Sequence, residues 1–207
     1  MAMDLSIFVE MMATTWLLWI ILLALTVLTI IYLLSKRWEE LKKPVAQTIA
    51  LENLEIGDLV EWRFMPNQMF RVSGIVELEE NGWRWKEIRL TTVKGLTRWL
   101  SVEYAGLDKI IVLWEEVDLP EQKPSPEQET IAFEGKVFQR KEHGFARATL
   151  IGDTGRPATE TCEYADYESE DGQLLAVERW GDEVSFWKGK KVSEDEFTIY
   201  RPEVKVA

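Results

Sequence analysis

The chain has one cysteine, Cys162, and one histidine, His143, in 207 residues. A single thiol excludes an internal disulfide and agrees with a reducing compartment. A single imidazole with no Cys or His neighbour at ligand spacing excludes the common zinc arrangements, and His143-Gly144 reads instead as a turn. Basic residues are also in deficit: 24 Lys and Arg stand against 36 Asp and Glu, a net charge of −12. That excess repels nucleic-acid phosphates, so no nucleic-acid partner is expected. No Gly-rich phosphate loop, GxSxG or HExxH occurs. Asp166 to Gly172 imitates a calcium loop, but its sixth and twelfth places hold Asp171 and Val177, so it reads as a solvated hairpin tip. No catalytic residue, metal or cofactor is assigned, and the chain is read as a non-enzyme.

Charge is missing altogether from Met11 to Ser35, 25 residues of which 13 are Leu, Ile or Val. At about 1.5 Å per residue this run reaches about 37 Å, enough for a hydrocarbon core of roughly 30 Å. Its aliphatic residues favour insertion by about 4 to 8 kcal/mol. Asp4 and Glu10 precede it, whereas Lys36, Arg37, Lys42 and Lys43 follow. The positive-inside bias therefore predicts an N-terminus outside and a cytoplasmic C-terminal domain, in the cell inner membrane. Trp16 and Trp19 near one end, and Tyr32 and Trp38 near the other, suit the two membrane interfaces, with the four basic residues at the inner one.

Beyond the span the period changes to alternation. Asn81-Gly82 between two alternating runs is a strong hairpin signal, and further turns are expected at Lys94-Gly95, Asp153-Thr154-Gly155, Asp171-Gly172, Trp180-Gly181-Asp182 and Lys188-Gly189. Turns this frequent predict an all-β domain. Three prolines between Asp118 and Pro126 mark a connector between halves of similar length. Trp99 to Glu103 aligns with Leu174 to Glu178, each followed by a strand ending in tryptophan, Trp114 or Trp187. Upstream, Glu80 to Trp83 matches Glu142 to Phe145. The expected fold is thus an all-β cytoplasmic domain of two related antiparallel units, small sheets or open barrels, after one transmembrane α-helix. Its parts are an extracytoplasmic N-terminus (1–10), the transmembrane helix (11–35), a juxtamembrane helix and tether (36–53), a first β unit (54–117), a Pro-rich connector (118–128), a second β unit (129–201) and a tail (202–207).

The stretch Leu54 to Tyr200 resembles domain-of-unknown-function family 4178, an uncharacterised bacterial β domain. The resemblance rests on the order of Ile56-Gly57-Asp58, Trp99 to Glu103, Glu163 to Tyr167, Leu174 to Trp180 and Glu196 to Tyr200. It implies a β domain and carries over no site residues.

Seven of ten tryptophans lie in the β region, and alternation puts Trp83 and Trp85 on one strand face. Trp180, expected at a hairpin corner between Arg179 and Asp182, is the candidate anchor for a partner, with Trp83 and Trp85 as neighbours. The expected role is a non-catalytic single-span protein whose acidic β domain binds or positions partners, as an accessory subunit or scaffold beside another integral membrane protein in the lipid bilayer. The alternatives are a small-ligand-binding sensor domain and an enzyme using carboxylates that no motif marks.

Overall fold

The computed structural model describes residues 16, 19, 22–35, 46–120 and 123–202. The chain falls into two compact units, Met1–Pro44 and Val45–Ala207. In the first, residues 22–35 are helical and every one of them is exposed. Thr26 and Thr29 turn their hydroxyls back onto the carbonyls of Leu22 and Leu25, each at 2.8 Å, which satisfies them within the helix. Among the described residues no helix is long and apolar enough to cross a membrane. The rest of the expected 11–35 span lies outside the described residues, apart from Trp16 and Trp19, which are helical and exposed. Tyr32 is exposed too. Lys36, Arg37, Trp38, Lys42 and Lys43 also lie outside the described residues.

The second unit is all-β: β1 (Ala46–Gln47), β2 (Leu59–Trp62), β3 (Met69–Glu80), β4 (Trp83–Thr92), β5 (Thr97–Ala105), β6 (Asp108–Glu116), β7 (Thr130–Phe133), β8 (Lys136–Gly152), β9 (Thr161–Ser169), β10 (Leu174–Trp180), β11 (Glu183–Lys191) and β12 (Phe197–Tyr200). Strands β3 to β6 form one four-stranded meander and β8 to β11 another. Antiparallel pairing of β6 with β11 and of β3 with β8 joins the two into a closed eight-stranded barrel. Both sequence halves contribute to this one ring. β5 and β10, which carry the matched stretches, are each the third strand of a meander. The other match does not hold in place, since Glu80 to Trp83 crosses the β3–β4 turn whereas Glu142 to Phe145 lies within β8.

Closure has a local cause. β3 is long enough to pair with β2 through residues 69–71 and with β8 through residues 74–79. At the changeover sits Gly74, where a Cβ would lie 2.4 Å from the Asp153 carbonyl oxygen. Beyond the barrel, β1, β12 and β2 extend the sheet from one edge and β7 pairs with β8. The folded unit therefore starts earlier than the expected tether allows, because Ala46–Gln47 pairs with β12 and Leu51 is wholly buried.

Alternation divides the apolar residues into an inside and two outsides. Val72, Ile75, Ile88, Leu100 and Leu113 pack with Val60 and Ile199 against the first meander's outer face. Phe138, Tyr167, Leu175, Val177 and Phe186 pack with Ile131 on the second's. The barrel interior holds Val76, Leu78, Trp99, Ala146, Cys162, Trp180 and Trp187. Two expected turns are strands instead. His143-Gly144 lies within β8, where Gly144 leaves room for the Glu80 carboxylate, and Lys188-Gly189 lies within β11, where Gly189 faces Trp114. Both glycines serve a close approach rather than a reversal.

Candidate functional site

The inward residues of five strands put acids beside aromatics: Trp85 and Glu87 on β4, Ser101 and Glu103 on β5, Trp114 on β6, Cys162, Tyr164 and Asp166 on β9, and Ala176 and Glu178 on β10. With Glu142 of β8 they line a cavity of about 320 Å³. Its rim carries the exposed residues Trp83, Lys141, Glu142 and Lys191.

Glu142 faces inward because of a bulge. Register on β8 slips between Arg140 and Glu142, so Phe138 belongs to the outer core while Glu142 stands directly opposite Asp166. One inserted residue, Lys141, thus reverses which face each side chain takes. Tyr164 accepts the consequence: its hydroxyl lies 2.7 Å from Glu80 Oε2 and 3.1 Å from Glu142 Oε1. Trp85 meets the Tyr164 ring edge-on at 5.3 Å, and Trp114 Nε1 donates to Ser101 Oγ at 2.9 Å.

Electrostatics follow from crowding. Burial first, then the charges of Glu142, Glu103 and Glu178, push Asp166 up to about 8. Burial and Glu142 raise Glu103. Burial and Glu178 push Glu87 well above the ordinary carboxylate range, against the pull of Arg156. Burial, then Glu178 and Glu87, drive the Cys162 thiol upward, so it stays protonated and is no nucleophile. Among the described residues no three His, Cys, Asp or Glu side chains are grouped so as to hold a metal ion.

Below the cavity the chain supplies a cation of its own. Arg156, from the loop between β8 and β9, is nearly buried and bonds Glu178 Oε2 at 2.5 Å, with Glu87 Oε2 at 3.6 Å. Its guanidinium lies 4.7 Å from the Trp99 ring centre, 4.6 Å from Trp187 and 5.3 Å from Trp180. Three indoles and two carboxylates thus cage one organic cation.

The family described as Domain of unknown function (DUF4178) matches residues 55–194, two thirds of the chain. The chain belongs to the DUF4178 family. No curated protein and no solved structure matches it. The DUF4178 match takes in all eight barrel strands and the Arg156 loop, and leaves β1 and β12 outside.

The expected contact residues of this DUF4178 domain are dispersed. Trp180 is 1% exposed and donates Nε1 to Glu178 at 2.9 Å, so it is not a surface anchor. It ends β10 rather than forming the corner, and its face turns inward. Arg179, its neighbour on the outer face, bonds Glu163 Oε2 at 2.6 Å and reaches Glu127 and Ser125 of the connector. Asp182 is exposed at the following turn. Trp83 and Trp85 do share a face, the one that lines the cavity. Glu87, Glu103, Glu142, Asp166 and Arg156 were not marked by any motif. Their signal is placement: each acid of Trp85-x-Glu87, Ser101-x-Glu103 and Tyr164-x-Asp166 shares a face with its partner, where a barrel core calls for apolar residues.

Proposed function

We propose that this is a single-span membrane protein whose DUF4178 barrel, on the cytoplasmic side, binds a small ligand in its interior without chemistry. One observation carries the reading: the closed barrel holds a cavity of about 320 Å³, open at one rim and lined by carboxylates and aromatic rings, and a barrel of eight strands is wide enough for one small ligand. The membrane part is supported by the apolar, uniformly exposed residues 22–35 with their internally satisfied hydroxyls, and by the basic residues that follow them. Each sequence half supplies four consecutive strands, and the chamber is lined from both.

The test is the full chain in mild detergent, screened for saturable thermal shifts. A ligand at about 100 times its Kd adds about 2.7 kcal/mol, or about 5 to 10 °C for a domain of this size. Ala176→Phe projects a ring into the cavity and is expected to abolish that shift while melting cooperatively. A shift that survives in this variant excludes the interior as the site.

A further inference from the structure

The floor of the barrel shows what its interior is built to hold. Arg156 is stabilised there by ring faces and carboxylates, which are the two elements that recognise organic cations. Above it both elements recur, and the lysines of the lining, Lys141 and Lys191, stand exposed at the rim. Trp85, Trp114 and Tyr164 supply the rings, and Glu103, Glu142 and Asp166 the carboxylates. Among the described residues no Lys or Arg forms an ion pair with Asp166 or Glu103, and burial with the neighbouring carboxylates raises both.

Spacing selects among cations. Glu142 stands directly opposite Asp166, yet among the described residues no three of these acids are grouped so as to hold a metal ion. Asp166 and Glu168 both line the cavity from β9, and positions two apart on a strand are about 7 Å apart. Two charges at that separation, joined by methylenes that lie against indole and phenol rings, satisfy carboxylates at different depths together.

Resting on the ligand-binding reading, we propose that the chamber above Arg156 takes a linear aliphatic amine with two or more ammonium groups, Asp166 with Glu142 and Glu103 facing one charge, Glu168 another, and Trp85, Trp114 and Tyr164 the chain. Asp166, held up at about 8 by burial and its acidic neighbours, gains its charge when such a cation arrives.

Calorimetric titration of the full chain in detergent with spermidine, 1,4-diaminobutane, butylamine and Mg²⁺ tests this. Spermidine is expected to bind one to one, and at least 10-fold more tightly than butylamine. Asp166→Asn and Glu103→Gln are each expected to weaken it by at least 10-fold. Cooperative melting shows that each variant is folded. Equal affinity for spermidine in the double variant, or Mg²⁺ binding that depends on the same residues, overturns the proposal. If no amine binds while an uncharged compound gives a shift that Ala176→Phe removes, the amine assignment fails and the ligand-binding barrel stands. If no small molecule binds at all, both fail.

Discussion

Asp166→Asn replaces a carboxyl inside the barrel by an amide of the same shape, and its effect on stability follows from the charges around it. In the folded chain Asp166 is pushed from an ordinary value of 3.8 up to about 8, first by burial and then by Glu142, Glu103 and Glu178. In the unfolded chain these causes vanish. Between pH 4 and 8 the folded state therefore binds more protons at this site than the unfolded state, and stability falls as pH rises through that window. Below the window the site is neutral in both states, and above it the loss is complete. At about 1.4 kcal/mol per pH unit the ceiling is about 6 kcal/mol. Asp166 is half-buried against an open cavity, and water there reduces the cost to about 1 to 3 kcal/mol. Asp166→Asn is thus expected to be more stable than the parent by that amount at pH 9 and to converge on it near pH 4. Urea unfolding of both full chains in detergent, followed by tryptophan fluorescence from pH 4 to 9, measures the difference. Comparing the two chains cancels the other titrating groups far from the site. A variant less stable than the parent at pH 9, or a gap that widens toward low pH, refutes the reasoning.

Arg156→Met leaves the Glu178 carboxylate buried without its ion pair and removes the cation from three indole faces, so a loss of about 3 to 5 kcal/mol is expected in urea unfolding. Arg156→Lys keeps the charge but not the planar stack, and is expected to lose less. Gly189→Ala sets a methyl 2.3 Å from a carbon of the Trp114 ring, which the pairing of these two residues prevents from moving away. A cost of about 1 to 3 kcal/mol is expected, read as a lower melting temperature. Trp180→Ala empties the floor of the barrel and is expected to destabilise by about 3 to 5 kcal/mol in the same assay, rather than to give a stable protein with an altered surface.

Local features were legible in the sequence wherever two or three residues decide them. Asn81 and Gly82 adopt φ of 50° and 87°, the pair of positive angles that the tight hairpin requires. Trp83 and Trp85 share a face because strands alternate, and Cys162 is a strand residue. What escaped was the direction of each face. A strand in a closed barrel with outer cores is covered on both sides, so Ile75 and Val76 are both buried and polarity no longer tells inside from outside. Trp180 reads as a surface residue because it adjoins the Gly181-Asp182 turn, yet it ends β10 on the inward face. The bulge at Lys141 compounds this, because a reading that counts by twos puts Glu142 with Phe138. Gly144 and Gly189 read as turns because a glycine's neighbour in space is not its neighbour in sequence. Closure itself, through β3 with β8 and β6 with β11, joins strands about 70 residues apart and leaves no local mark.

The interior carboxylates are the strongest reason to read the barrel as a binding protein rather than a support. The same chain fills its two outer cores with Leu, Ile, Val and Phe, so apolar packing was available to it. Inside, Glu142 and Asp166 stand directly opposite each other, an arrangement that costs free energy even on an open sheet and more in a half-closed chamber. Apolar residues of similar volume at Glu87, Glu103 and Asp166 would make a more stable barrel. Departures from local rules of this kind collect at functional sites, where the strain is relieved by what binds. At the floor the relief is visible, since Arg156 meets Glu178 at 2.5 Å and lies against three rings. One level up the carboxylates and the rings recur, and the amine proposed for the chamber would supply the cation.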